Sequence, residues 1–179
     1  MPDRTVQLRH GEWTALVGVR GAALSRLEVG ERPVIQPALD AGPGGAHGAV
    51  LVPWPNRLGD GRYAFDGTTY ELACTEPARG NAIHGLARDR TWTVEEADDA
   101  SCRLGLTLGD DPGYPFAVAV TVAHRLDDHG LTVTTTATNL GDRPAPWGSG
   151  HHPYLSPGAG PIDDAVVALD AATRIVTDD

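Results

Sequence analysis

The sequence contains no lysine and only two cysteines, Cys74 and Cys102. Their spacing fits neither a disulfide scaffold nor a cysteine-ligated zinc site, so both thiols are expected to be reduced. No apolar run is long enough to cross a bilayer, and the N-terminal "MPDRTVQLRHGEW" carries charges where a secretory signal needs an apolar stretch. We therefore expect a soluble, cytoplasmic protein that does not enter a membrane.

Basic residues are too few for a nucleic-acid-binding surface. The chain has 24 acidic residues against 14 arginines, which gives a formal net charge of −10. Binding to phosphate backbones needs clustered Lys and Arg, so a nucleic-acid partner is not expected. The chain has 179 residues, of which 41% are hydrophobic, enough for a core of its own. Residues 1–179 are thus interpreted as a single domain.

The hydrophobic pattern is that of short strands separated by turns. "RYAFDGTTYEL" and "FAVAVTVAHRLDDHGLTVTTTATN" each alternate apolar and polar residues on both sides of a turn, which predicts two β-hairpins. Further strands are predicted at "TVQLRH", "WTALVGV", "LSRLEV", "TWTVEE" and "CRLGLTL". Nothing reads as an amphipathic helix. The predicted class is all-β, an antiparallel sandwich.

Three irregular segments carry the candidate site residues. "QPALDAGPGGAHGAVLVPWPNRLGDG" reads as a long loop that ends in Asn56 and Arg57, and "TEPARGNAIHGLARDRTW" contains His84. "WGSGHHPYLSPG" contains His151 and His152, which as neighbours on extended backbone point to opposite faces. Taken singly, each could be purely structural: a loop histidine with one hydrogen bond, a surface arginine, a strand end. Only their combination favours a functional site.

That combination resembles the aldose 1-epimerase (galactose mutarotase-like) family. "VPWPNRLGDGRYAFDGTTYEL", "NAIHGLARDRTW" and "PWGSGHHPYL" occur in the family's order and approximate spacing. The resemblance implies a galactose mutarotase-like sandwich with a sugar-binding groove across one sheet. It also implies interconversion of the α and β anomers of a free aldohexose such as glucose or galactose, with no cofactor and no metal. A base removes the anomeric hydroxyl proton, and an acid protonates the ring oxygen.

The resemblance assigns roles residue by residue. The family's acid histidine, which precedes Pro-Tyr, falls on His152, and His151 is then the opposite-face residue. The site histidine of the Asn-x-x-His-Gly motif falls on His84. The sugar-contacting arginine falls on Arg57, with Asn56 beside it, and these residues are expected to bind the substrate hydroxyls.

The family's general base, a late glutamate, and a sugar-binding aspartate have no matching positions here. The chain is therefore expected to correspond to the first half to two-thirds of the family pattern, with impaired turnover and self-association through exposed strand edges. Three readings remain open: an incomplete aldose 1-epimerase, a noncatalytic carbohydrate-binding module, and a degenerate β fragment without a ligand. A hexose-6-phosphate mutarotase is an alternative within the enzyme class, although no basic cluster near the motifs argues for a phosphate.

Overall fold

The computed structural model describes residues 4–37, 46–158, 162–168 and 170–173. In this part of the chain the regular structure is almost entirely β, with one 3₁₀ turn at Pro77–Arg79 and no α-helix. The strands are β1 (Thr5–His10), β2 (Trp13–Gly18), β3 (Leu24–Val29), β4 (Arg32–Pro33), β5 (Val50–Leu51), β6 (Arg57–Gly59), β7 (Arg62–Phe65), β8 (Thr68–Glu71), β9 (Asn81–Ile83), β10 (Thr93–Ala97), β11 (Ser101–Leu108), β12 (Val118–Asp127), β13 (Gly130–Asn139) and β14 (Gly150–His151).

Two four-stranded antiparallel sheets form the framework. One has the order β1-β2-β3-β4 and the other β10-β11-β12-β13, and β1 and β2 pack against β12. Every neighbour within these sheets is also the next strand in sequence, so each sheet is an antiparallel meander. This agrees with the predicted antiparallel sandwich. No helix in the described ranges has the length and hydropathy to cross a membrane.

Alternation along the strands sets the core between the two sheets. In β12 the apolar residues Val118, Val120, Val122 and Leu126 are buried. Leu8 of β1 is fully buried as well. Each such side chain contributes about 1.5–3 kcal/mol when it is removed from water. The core therefore fixes which face of each strand points inward.

Both predicted hairpins are confirmed. β7 and β8 pair in register across Asp66 and Gly67, and β12 and β13 pair across the turn that follows Asp127. Asp66 and Gly67 both adopt positive φ, at 49° and 73°. A tight hairpin turn needs two such residues in succession, which explains the Asp-Gly pair.

One expectation about the long loop was wrong. The segment from Gln36 to Gly61 was expected to contain no core strand, yet Val50 and Leu51 form β5 and are buried. They pair with β14, about a hundred residues later in the sequence. The chain becomes exposed only after this short buried strand, so β5 anchors the segment that carries Asn56 and Arg57. Residues 38–45 of the expected loop lie outside the described residues.

Candidate active site

Two short strands bring Asn56 and His84 together. β6 pairs with β9, and Arg57 stands opposite Ile83. Just beyond this pair, the His84 N–H donates to the Asn56 carbonyl at 2.8 Å, and the Asn56 N–H donates to His84 Nδ1 at 3.2 Å. Both residues have left-handed backbone, with φ of 59° at Asn56 and 63° at His84. The reciprocal hydrogen bonds hold two conformations that side-chain-bearing residues seldom adopt.

A steric contact explains why residue 85 of the Asn-x-x-His-Gly motif is a glycine. Its φ is 72°, and a Cβ added there would lie 2.1 Å from the Val52 carbonyl oxygen. The chain after His84 therefore runs directly against the segment before Pro53, and Leu86 donates its N–H to the same carbonyl at 2.8 Å. Any side chain at residue 85 would push the His84 loop away from Asn56.

The hydrogen bond from Asn56 determines which nitrogen of His84 carries the proton. Because Nδ1 accepts from a backbone N–H, the neutral ring holds its proton on Nε2. Burial lowers the pKa of His84, and the nearby His152 and Arg88 lower it further. Near neutral pH, His84 is thus an uncharged hydrogen-bond donor, suited to a hydroxyl or a ring oxygen.

Arg57 is held by Glu76. Arg57 Nε donates to Glu76 at 2.6 Å and Nη2 donates to the other carboxylate oxygen at 2.9 Å. Nη1 donates to the Asn56 side-chain oxygen at 3.2 Å. Asn81, the first residue of the histidine motif, donates its amide to Glu76 at 3.1 Å. A two-point contact of this kind fixes the plane of the guanidinium group.

This pairing changes what Glu76 can do chemically. The hydrogen bonds from Arg57 and then Asn81 lower the pKa of Glu76 to about 2. The same bond with Glu76 raises the pKa of Arg57. A carboxylate so strongly stabilised in its charged form is a poor proton acceptor near neutral pH. Glu76 therefore orients Arg57 and is not suited to serve as a general base.

A row of aromatic rings extends from His84. The His84 and His152 rings are 5.2 Å apart and nearly perpendicular, at 87°. Tyr154 stacks on His152 at 5.2 Å, and His47 stacks on Tyr154 at 4.3 Å. His47 is itself held by a 2.7 Å hydrogen bond between Nε2 and the Gln36 carbonyl oxygen. The His152 ring thus contacts one histidine in a perpendicular arrangement and a tyrosine in a stacked one.

Pairing of β14 with β5 separates the two adjacent histidines. His151 lies opposite Val50, and its Nε2 is 3.0 Å from Thr135 Oγ1 on β13. His152 lies next along the chain, where its N–H donates to the Ala49 carbonyl at 3.2 Å, and its ring meets His84. The two rings therefore face different surroundings.

The four residues singled out from the sequence, Asn56, Arg57, His84 and His152, form one connected group. The structure adds three neighbours to this group, namely Glu76, Tyr154 and His47. Tyr154 follows His152 within the same motif, which was an available signal. Nothing in the sequence linked His47 to Tyr154. Among the described residues no group of three His, Cys, Asp or Glu side chains could hold a metal ion.

Comparison with known proteins identifies the family. The family model for aldose 1-epimerase matches residues 4–179. The chain belongs to the aldose 1-epimerase family. It is 36% identical over 170 residues to the Escherichia coli K12 protein YihR, a match that covers 94% of this chain. It is 33% identical over 115 residues to the aldose 1-epimerase of the same organism, which covers 61% of this chain.

Solved structures support the same galactose mutarotase-like fold. A galactose mutarotase-like protein from Clostridium acetobutylicum superposes with a TM-score of 0.75 over 84% of this chain, at 20% identity. A GalM/aldose epimerase homologue from C. elegans gives 0.74 over 86%, at 19% identity.

The matches to these relatives span from about a third to about half of each relative's own length. The match covers 55% of YihR and 32% of the E. coli aldose 1-epimerase. It covers 50% of the C. acetobutylicum structure and 51% of the C. elegans structure.

Proposed function

We propose that the connected group of Asn56, Arg57, His84 and His152 binds a free aldohexose such as glucose or galactose, and that His152 is the acid of a mutarotase reaction. The observation that carries this is the contact between the His84 and His152 rings. His84 is at the same time bonded to the segment that carries Arg57. A neutral donor, a fixed cation and a second imidazole are thereby placed together, as the recognition of several hydroxyls requires.

The reaction needs two proton transfers at the anomeric centre. A base takes the proton of the C1 hydroxyl while His152 gives a proton to the ring oxygen, so the C1–O5 bond breaks and an open-chain aldehyde forms. Rotation about C1–C2 and closure with the reverse transfers give the other anomer. An imidazole can give and regain a proton near neutral pH. His84 Nε2–H and Arg57 would bind hydroxyls and orient the ring.

The base is the part of this scheme with no candidate in the connected group. Glu76, the carboxylate that contacts this group, is held by Arg57 and Asn81, and its pKa of about 2 disfavours proton uptake. We therefore expect residues 1–179 to bind sugar with turnover near background. A noncatalytic carbohydrate-binding role uses the same contacts without the proton transfers. A 6-phosphate substrate is disfavoured because Glu76 already neutralises Arg57.

Sugar binding can be measured on the chain directly. With the histidine rings labelled with ¹⁵N, titration with galactose or glucose should shift the His84 and His152 signals and leave His129 unchanged. Arg57→Ala should weaken binding at least about tenfold, the range for loss of a charge-assisted contact. Arg62→Ala is the matched control, since Arg62 also pairs with a glutamate, Glu71, but lies in the β7–β8 hairpin. No shift at either ring up to high millimolar sugar would support the ligand-free reading.

The acid role is tested in a polypeptide of the relatives' length, made by joining residues 1–179 to the C-terminal part of YihR. There His152→Ala should lose about 10²–10⁴-fold in mutarotase activity by polarimetry, the usual contribution of a general acid. His151→Ala, one residue away and bonded to Thr135, should lose much less. Equal losses would reject the assignment of the acid to His152.

A further inference from the structure

The chain segment that begins at His152 lies between two other segments. On one side, the His152 N–H donates to the Ala49 carbonyl at 3.2 Å, and the Gly48 N–H donates to the His152 carbonyl at 2.8 Å. On the other side, the Gln36 N–H donates to the Tyr154 carbonyl at 2.7 Å. These bonds fix the backbone of His152 and Tyr154, whose side chains lie on one face, as alternate residues do, and stack there.

Backbone hydrogen bonds do not fix the direction of the His152 ring. No hydrogen bond within the described part of the chain reaches its ring nitrogens, and its ring contacts are with His84 and Tyr154. In the proposed reaction the ring has to present a nitrogen to the sugar in one direction. The orientation of the His152 ring therefore depends on how firmly its two neighbours are held.

The two neighbouring rings are held to different degrees. His84 is bonded to Asn56 through its backbone N–H and through Nδ1 of its ring. Tyr154, in contrast, is 48% exposed. Burial alone does not keep a half-exposed side chain in one rotamer, so the Tyr154 ring needs a further contact to remain against His152.

His47 supplies that contact. Its ring stacks on Tyr154 with centroids 4.3 Å apart and planes at 19°, a closer and more nearly parallel stack than that of Tyr154 on His152. His47 Nε2 lies 2.7 Å from the Gln36 carbonyl oxygen. Because a carbonyl only accepts, Nε2 carries the proton and donates it. The backbone of Gln36 thus holds Tyr154 through its N–H and the His47 ring through its carbonyl.

We propose that His47 is a positioning residue: held by Gln36, it keeps Tyr154 stacked on His152 and so sets the direction of the His152 ring. Its consequence for sugar binding rests on the proposed function, because the direction of the His152 ring matters to a ligand that bonds to it. His47 acts through Tyr154 and not on the substrate. Its aromatic ring carries the effect, since stacking is its contact with Tyr154.

Two substitutions of His47 separate the ring from the rest of the residue. His47→Ala removes the stack, so nuclear Overhauser contacts between the His152 and Tyr154 rings should be lost in the sugar-free chain. Galactose should then bind about fivefold more weakly, the effect of one misaligned hydrogen bond. His47→Phe keeps an aromatic ring, so it should retain the contacts and bind galactose within about twofold of the starting chain. Leu155→Ala is the control in the same segment, with a side chain that is 73% exposed, and should change neither result.

The ring contacts decide the role of His47 without any sugar. Contacts between His152 and Tyr154 that persist in His47→Ala, or that are lost in His47→Phe as well, would overturn the inference. Should His47→Ala not fold, as judged by the amide signals of β12 and β13, His47→Gln removes the ring but keeps a donor for Gln36. It should lose the same contacts, and their retention would also overturn the inference. If the unsubstituted chain binds no galactose, the proposed function fails, while the ring contacts still decide for or against His47.

Discussion

His124 should make the chain sensitive to mild acid. It occupies an inward position of β12, is 1% exposed, and its Nδ1 has no hydrogen-bond partner within the described part of the chain. Burial, followed by the nearby His151, lowers the pKa of His124 from 6.5 to about 4. Protonation is therefore far more favourable in the unfolded chain than in the folded one.

The sign and size of the effect follow from linkage. A histidine whose folded pKa is depressed contributes its full stability above the unfolded pKa, and this is lost as pH falls from about 6.5 toward 4. A difference of about 2.5 pKa units corresponds to roughly 3 kcal/mol in total, of which about 2 kcal/mol is lost by pH 5. For a domain of this size, that is a large fraction of the whole free energy of unfolding.

Urea unfolding at pH 7.5 and pH 5.0 measures this loss. His124→Leu fills the site with a side chain that does not titrate. Between pH 7.5 and pH 5.0 its free energy of unfolding should therefore fall by about 2 kcal/mol less than that of the starting chain. His84 and His151 also have pKa values lowered by burial. Both residues are present in both chains, so their contributions to the pH dependence largely cancel in the comparison. His129→Asn, on the exposed β12–β13 turn, is the control and should change nothing. Equal losses in the starting chain and in His124→Leu would refute the reasoning.

Three further predictions concern the site and the strand edges. Nitrogen-15 NMR of the histidine rings should show neutral His84 protonated on Nε2, because Asn56 donates to Nδ1; an Nδ1–H signal would contradict this. Gly85→Ala should cost at least about 2 kcal/mol more in unfolding free energy than Gly67→Ala. Both have φ above 70°, but only the first meets a carbonyl, and nothing lies within 4 Å at Gly67; equal costs would contradict this. Purified residues 1–179 should self-associate in size exclusion with mutarotase turnover near background, whereas an active monomer would show that a carboxylate in this chain acts as the base.

The strands of the two sheets were predictable because their patterns are local. Alternation and turn residues lie within a few positions of each other, and neighbouring strands in each sheet are consecutive in sequence. The same alternation puts His124 on the buried side of β12, between Val122 and Leu126, although burial of this residue was not predicted from the sequence. A histidine in that position was therefore a signal of burial in its own right.

The pairings that assemble the site join residues far apart in sequence, so local sequence patterns could not predict them. β5 meets β14 across about a hundred residues, and Arg57 meets Glu76 at a separation of 19. Neither contact leaves a periodic trace in the sequence. Ring stacking of His47 on Tyr154 depends on the same long-range closure. The resemblance supplied the candidate residues, whereas their partners required the folded chain.

The structure explains the residue type at each defined position of the Asn-x-x-His-Gly motif. The Asn81 side-chain amide donates a hydrogen bond to Glu76 and so helps to hold Arg57. His84 Nδ1 accepts a hydrogen bond from the Asn56 N–H. Gly85 fits against the Val52 carbonyl, where a Cβ would clash. All three residues position groups of the candidate site, and none of them is suited to remove the proton of the anomeric hydroxyl. The motif therefore builds the geometry of the proposed sugar-binding group, and its residues supply no base for the proposed reaction.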